Sequence, residues 1–337
     1  MESIDQIQSD LRNSQNFENQ IQIKKEKFQI VNKIGIIYAI GIAFIYQFAQ
    51  IYSTICGHFF PKFLKENRED YILLATLILN QICGTLLMFI LTKFIKSMQI
   101  KKYKYGYKKY LANLCINSGL LIVGSLIGYF VDFYFITIFI KKSEEEKSKI
   151  ISDKSFSKSN IFLNILVVCF TGPIAEEFIF RKFLIDRLSI YSKTLAIFSS
   201  GILFGIFHIN LHQLFGAMFL GWSLAYSYAE TGNILISISY HMIANITTTI
   251  TQAFNPYDYN ENKNKIGAII IIVILILRLI VALIGIILLL VYRKKIKIRN
   301  EENNHKDKWK IFKSYGMWIY IFEGFILFCI YYLNIFF

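Results

Sequence analysis

The sequence predicts an all-α fold, a polytopic helical membrane protein of eight or nine transmembrane helices around a central helical bundle. Three observations predict it. Hydrophobic residues make up 55% of the 337 residues, more than a soluble domain carries. They come in long blocks, and about 20 largely uncharged residues are enough to cross a hydrocarbon core ~30 Å thick. The net charge of +14 gathers at the ends of those blocks.

In chain order, the expected spans are 34–56, 71–95, 111–140, 160–180, 194–210, 213–229, 232–253, 266–292 and 314–336. They divide the chain into a polar N-terminal segment (1–33), N-terminal transmembrane helices (34–140), a charged loop (141–159), a core (160–253) and C-terminal transmembrane helices (254–337). Residues 1–33 lack the short apolar run of a cleavable signal peptide, so the first span is expected to act as an uncleaved anchor. Basic clusters KKYKYGYKK (101–109) and YRKKIKIR (292–299) sit at span ends, as topology signals do. With nine alternating spans both fall on one side, which puts the N-terminus in the cytoplasm. The same distribution excludes nucleic acid as a partner. The expected setting is the lipid bilayer, of the cell membrane in a prokaryote or an ER-type membrane in a eukaryote. The five cysteines fall singly in apolar spans, as small core hydrophobes.

The flanks and the core differ in character. Span 266–292 is almost pure Ile, Leu and Val, broken by Arg278, and reads as scaffold or lipid-facing. The core concentrates Glu, His, Asn, Gly and Ser within apolar helices. Small residues recur there at every fourth position, as Ala217, Gly221, Ala225 and Ala229, and as Gly201 and Gly205. Such stripes let helices approach closely in a bilayer.

Within the core, TGPIAEEFIFRKF (171–183) places two adjacent acids in an apolar run. Intramembrane acids are costly and mark cavities or ion paths. Pro173 is best tolerated in a first helical turn, so TGP begins or kinks the segment. Glu177 and Arg181 are i and i+4, the favourable order for a pair on one face. Glu176 has only Ile179 and Phe180 at i+3 and i+4, so it is the free carboxylate. Phe204 and His208 in FGIFH, and His241 and Asn245 in HMIAN, are further i, i+4 pairs inside spans. Alone, each reads as an ordinary core residue or interhelical glue. His212 lies near a span end and reads as an interface residue.

Together these groups fit hydrolysis of a peptide bond, which needs an activated water and support for an oxyanion. A carboxylate takes the proton, a histidine holds the water, and His241 and Asn245 carry N–H donors. Glu176, His208 and His241 are also a donor set that a divalent metal such as zinc accepts.

The motifs EExxxR (Glu176, Glu177, Arg181), FxxxH (Phe204, His208) and HxxxN (His241, Asn245), in this order on successive helices, resemble those of the CPBP (CAAX protease and bacteriocin-processing) family. The resemblance covers roughly 160–253. It implies an intramembrane endopeptidase related to the type II CAAX prenyl endopeptidases, acting on a membrane-associated peptide or protein. It further implies that Glu176 and His208 activate water and that His241 and Asn245 form the oxyanion hole, with Glu177, Arg181 and Phe204 in support. The family has been described as metallo- and as glutamic proteases, and the metal-free version is the one expected here. Many members have glycine after the arginine; this chain has Lys182. The spans as drawn also put Glu176 and His208 about 15 Å apart in depth. Competing readings are a proton-coupled transporter relaying through Glu176, Glu177 and His208, and a non-catalytic immunity-type membrane protein.

Overall fold

The computed structural model describes residues 4–59, 70, 73–139, 161–253, 265–294 and 305–336. The expected charged loop at 141–159 lies outside them, as does most of the basic cluster 292–299. Nine helices are described: α1 Ile4–Phe59, α2 Leu73–Thr92, α3 Tyr107–Phe139, α4 Ile161–Leu188, α5 Lys193–Phe207, α6 Leu211–Thr231, α7 Ile234–Ala253, α8 Lys265–Tyr292 and α9 Tyr315–Phe336. Among the described residues there is no strand.

Seven of the nine are long and apolar enough to cross a membrane on their own. The other two are α5 and α6. At 15 residues, α5 is short of a full crossing. Among the residues of α6 are His212, Gln213 and the buried Glu230. These two are the inner helices of the bundle and are shielded by the others. The polar start of the chain is helical and continuous with the first span.

Local sequence explains the helix ends. Ser192 caps α5, accepting from the Leu195 N–H at 3.2 Å, and Asn210 caps α6, accepting from Gln213 N–H at 2.8 Å. Gly232, at φ 63°, closes α6 in the left-handed region that favours glycine.

The small-residue stripes face each other. A Cβ on Gly221 would lie 3.1 Å from the Gly201 Cα and 3.0 Å from the Phe204 ring, so α5 and α6 meet nearly backbone to backbone. Along α8 the Ile and Leu residues are largely exposed, as lipid-facing residues should be. The charge in the middle of the helix turns inward, where Arg278 donates to Thr251 Oγ1 at 2.8 Å and Thr247 O at 3.4 Å on α7.

The span boundary predicted at residue 180 is corrected here: α4 runs on to Leu188. The charges there are bonded within the bundle, and Arg181 and Arg187 are buried. Arg187 donates to Thr92 O at 2.9 Å and Phe183 O at 3.0 Å. Lys182, in the place of the usual glycine, reaches Asp186 at 2.7 Å.

Gly221→Val is expected to overpack the α5–α6 contact and destabilise by about 1–3 kcal/mol. Thermal unfolding in detergent measures it, against Gly106→Ala, where a Cβ meets nothing within 4 Å.

Candidate active site

Helix α4 is irregular on both sides of its acids. It is π-helical over Ile165–Thr171 and Phe178–Phe183, with α-helical Gly172–Glu177 between. Such segments often mark functional sites. In the first, the Gly172 N–H bonds five residues back, to Val167 O. The next donor in that register would be residue 173, and proline has no N–H. The carbonyl left over is Val168 O, and Asn245 Nδ2 donates to it at 2.8 Å from α7. Gln81 on α2 adds a bond to Val167 O at 3.0 Å and receives one from Thr171 Oγ1. In the second segment, Tyr38 donates to Ile179 O at 2.5 Å and Ser200 to Phe180 O at 2.8 Å.

The i, i+4 pair forms inside the bundle. Arg181 Nε lies 3.1 Å from Glu177 Oε2, with both side chains fully buried. The geometry is a contact of charges and not a forked hydrogen bond, because that nitrogen and that oxygen complete no hydrogen bond. Arg181 also donates to Gly221 O at 3.4 Å, and its guanidinium carbon lies 4.6 Å from the centre of the Phe204 ring. The phenyl ring meets His208 edge-on at 4.9 Å and His241 at 5.6 Å. Phe204 is thus the wall against which the arginine and both histidines pack.

His241 lies between the two acids. Its Nδ1 is 2.9 Å from Glu177 Oε1, and its Nε2 is 3.6 Å from Glu176 Oε2. A carboxylate oxygen accepts, so Nδ1 carries the proton. Glu177 therefore has two partners, Arg181 on its own helix and His241 on α7. Glu176 differs, with 24% of its side chain exposed where Glu177 has none. In His208, Nδ1 lies 2.9 Å from Phe204 O, which fixes the proton there and leaves Nε2 with its lone pair free.

The depth gap between Glu176 and His208 closes. Glu176 lies 12 residues before Leu188, and His208 15 residues after Lys193. From a shared turn, at 1.5 Å per residue, these are depths of about 18 and 22 Å. Both border the same cluster, His208 edge-on to Phe204, which meets His241, and Glu176 3.6 Å from His241 Nε2. Glu176, Glu177, Arg181, Phe204, His208 and His241 thus converge, and Asn245 lies one turn of α7 beyond His241, facing α4. His212 is apart from this group, edge-on to Tyr129 at 6.2 Å. Among the described residues, no three His, Cys, Asp or Glu side chains form a group that could hold a metal ion. Both histidines spend Nδ1 on protein partners.

Residues 158–247 match the family described as type II CAAX prenyl endopeptidase Rce1-like. That segment is therefore similar to the family that its motifs resemble. A Bacillus subtilis (strain 168) protein described as "Putative membrane peptidase YdiL" is 35% identical over 105 residues, 30% of this chain and 42% of that protein. The match thus spans less than half of that relative's length. No solved structure matches the chain at a significant level. The matched segment contains α4, α5, α6 and most of α7, the helices that carry the six convergent residues and Asn245.

Sequence reasoning passed over Gln81, Tyr38 and Ser200, which satisfy backbone carbonyls of α4. It also passed over Tyr46 on α1 and Glu323 on α9. Only Glu323 had a signal, a lone acid in the apolar run GMWIYIFEGFILF.

Arg181→Ala is expected to leave Glu177 buried without its cation and to cost about 3–5 kcal/mol. Chemical denaturation in micelles measures this, with the exposed Lys108→Ala as the control.

Proposed function

We propose that the protein is an intramembrane endopeptidase that hydrolyses a peptide bond of a membrane-associated peptide or protein with a Glu176-activated water. The observation that carries this reading is the asymmetry of the two acids. Glu177 is sealed between Arg181 and His241, and Glu176 beside it is reachable.

The reaction follows from those positions. A water held between Glu176 and the free Nε2 of His208 gives its proton to Glu176 as its oxygen adds to the carbonyl carbon. The resulting oxyanion is met by an N–H from His241 Nε2 and by the second amide N–H of Asn245, the first being spent on Val168 O. Because Nδ1 of His241 is already committed to Glu177, donation from Nε2 makes the ring an imidazolium. Glu176 then passes its proton to the leaving amine as the C–N bond breaks, and the carboxylate is regenerated.

A groove of about 500 Å³ between α2 and α4, lined by Leu77, Ile82, Phe89, Ile174 and Phe178 among others, runs beside the turn that carries Glu176. Its apolar walls suit a substrate that approaches from the bilayer. The metal-free version of the chemistry is the one proposed, and no step is routed through a metal.

Glu176→Gln and His208→Ala are expected to lower turnover of a membrane-anchored peptide to background in purified, folded protein. Asn245→Ala is expected to cost about 10²–10³ in kcat, as removal of one oxyanion donor does. Full activity in both the Glu176 and His208 variants would sink the reading, and flux without cleavage in proteoliposomes would point to a transporter. Loss of activity to a chelator, with recovery on adding zinc, would replace the glutamic version by the metallo version.

A further inference from the structure

The position of His208 depends on the end of α5, and that end has an unusual carbonyl balance. A helix leaves its last four carbonyls without helical donors. In α5 these belong to Phe204, Gly205, Ile206 and Phe207. His208 supplies two donors, Nδ1 to Phe204 O at 2.9 Å and its backbone N–H to Gly205 O at 3.2 Å. Ile209 N–H reaches Ile206 O at 3.0 Å. The last carbonyl, Phe207 O, is met from outside the segment, by Tyr46 Oη on α1 at 2.7 Å.

The turn is also strained. Ile209 sits at φ 58°, in the left-handed region, and is the one non-glycine residue at positive φ among the described residues. A β-branched residue there is an outlier that persists only where its surroundings hold it. Asn210 holds one side by donating to His208 O at 2.9 Å. Tyr46 holds the other.

Behind Tyr46 lies a polar group with no assigned role. Both carboxyl oxygens of Glu323 on α9 are buried with no hydrogen-bond partner among the described residues. A buried, unpaired group in an apolar span calls for a reason. Its helix is pressed onto the same stretch of α5: a Cβ on Gly324 would clash with Ile206, and Tyr320 donates to Leu203 O at 2.9 Å. Tyr46 and the α9 turn that carries Glu323 thus flank the same last turns of α5, Tyr46 at Phe207 and α9 at Leu203 and Ile206. Tyr46 spends its one proton on Phe207 O, so its oxygen is left to accept.

We propose that Tyr46 and Glu323, from helices outside the matched segment, are positioning residues for His208. Tyr46 closes the last carbonyl of α5, and Glu323 holds the Tyr46 hydroxyl in place through an ordered water. The consequence for turnover rests on the hydrolytic reading above; the clamp itself does not.

Two measurements test it on the full chain in detergent. Hydrogen exchange over residues 203–213 is expected to speed up at least about tenfold in Tyr46→Phe and in Glu323→Leu, with residues 218–228 unchanged. In a cleavage assay, both variants are expected to lose at least about tenfold in kcat at unchanged KM. Glu323→Gln, which can still bridge to a water, is expected to keep most of the activity, and Tyr46→Phe/Glu323→Leu to be no worse than the poorer single variant. Wild-type exchange in both single variants overturns the proposal whether or not the protein cleaves peptides. Additive losses, or equal losses in the Gln and Leu variants, overturn the role of Glu323. Inactive wild-type protein whose exchange still responds as expected would leave the clamp standing and defeat only the hydrolytic reading.

Discussion

A carboxylate and a guanidinium, fully buried 3.1 Å apart in an apolar bundle, set the terms for everything around them. Removing two charges from water costs several kcal/mol each, and attraction repays this only when further polar partners complete the shell. Glu177 and Arg181 draw that shell from other helices: His241 from α7, Gly221 O from α6 and the face of Phe204 from α5. Four helices must therefore meet at one depth. The near-contact of Gly201 and Gly221 is what allows α5 and α6 to come in far enough.

The second constraint is the backbone of α4. In a bilayer a released carbonyl has no water to turn to. Around the two π-helical segments and the proline, four carbonyls between Val167 and Phe180 take bonds from side chains on neighbouring helices: Gln81, Asn245, Tyr38 and Ser200. The irregularity has a use, because it joins the helix bearing the acids to α1, α2, α5 and α7 by directed bonds. Apolar packing alone gives little direction in lipid. Asn245 takes part from α7, giving one amide N–H to Val168 O.

How much was legible beforehand varies with the residue. The Glu177–Arg181 pair is local, four residues apart on one face, and periodicity alone reveals it. The contrast with Glu176 was legible for the same reason. The end of α4 was misread because Arg181, Lys182 and Arg187 look like the polar boundary of a span, and only their partners Glu177, Asp186 and Thr92 show them to be internal. That error alone produced the expected 15 Å mismatch between Glu176 and His208. The arginine in α8 was ambiguous too, until the α7 threonines were found beside it.

By itself, the sequence determined the membrane class, the i, i+4 faces, the small-residue stripes and the motif residues, because each is a property of composition or of one helix's own period. Tertiary structure alone decided which groups meet: His241 with Glu177 across 64 positions, Asn245 with Val168 across 77, and Tyr46 with Phe207 across 161. Helical periodicity says which side of a helix a residue occupies. It does not say at what depth, or against which neighbour, that side comes to rest; crossing geometry and the need to satisfy every buried polar atom settle that.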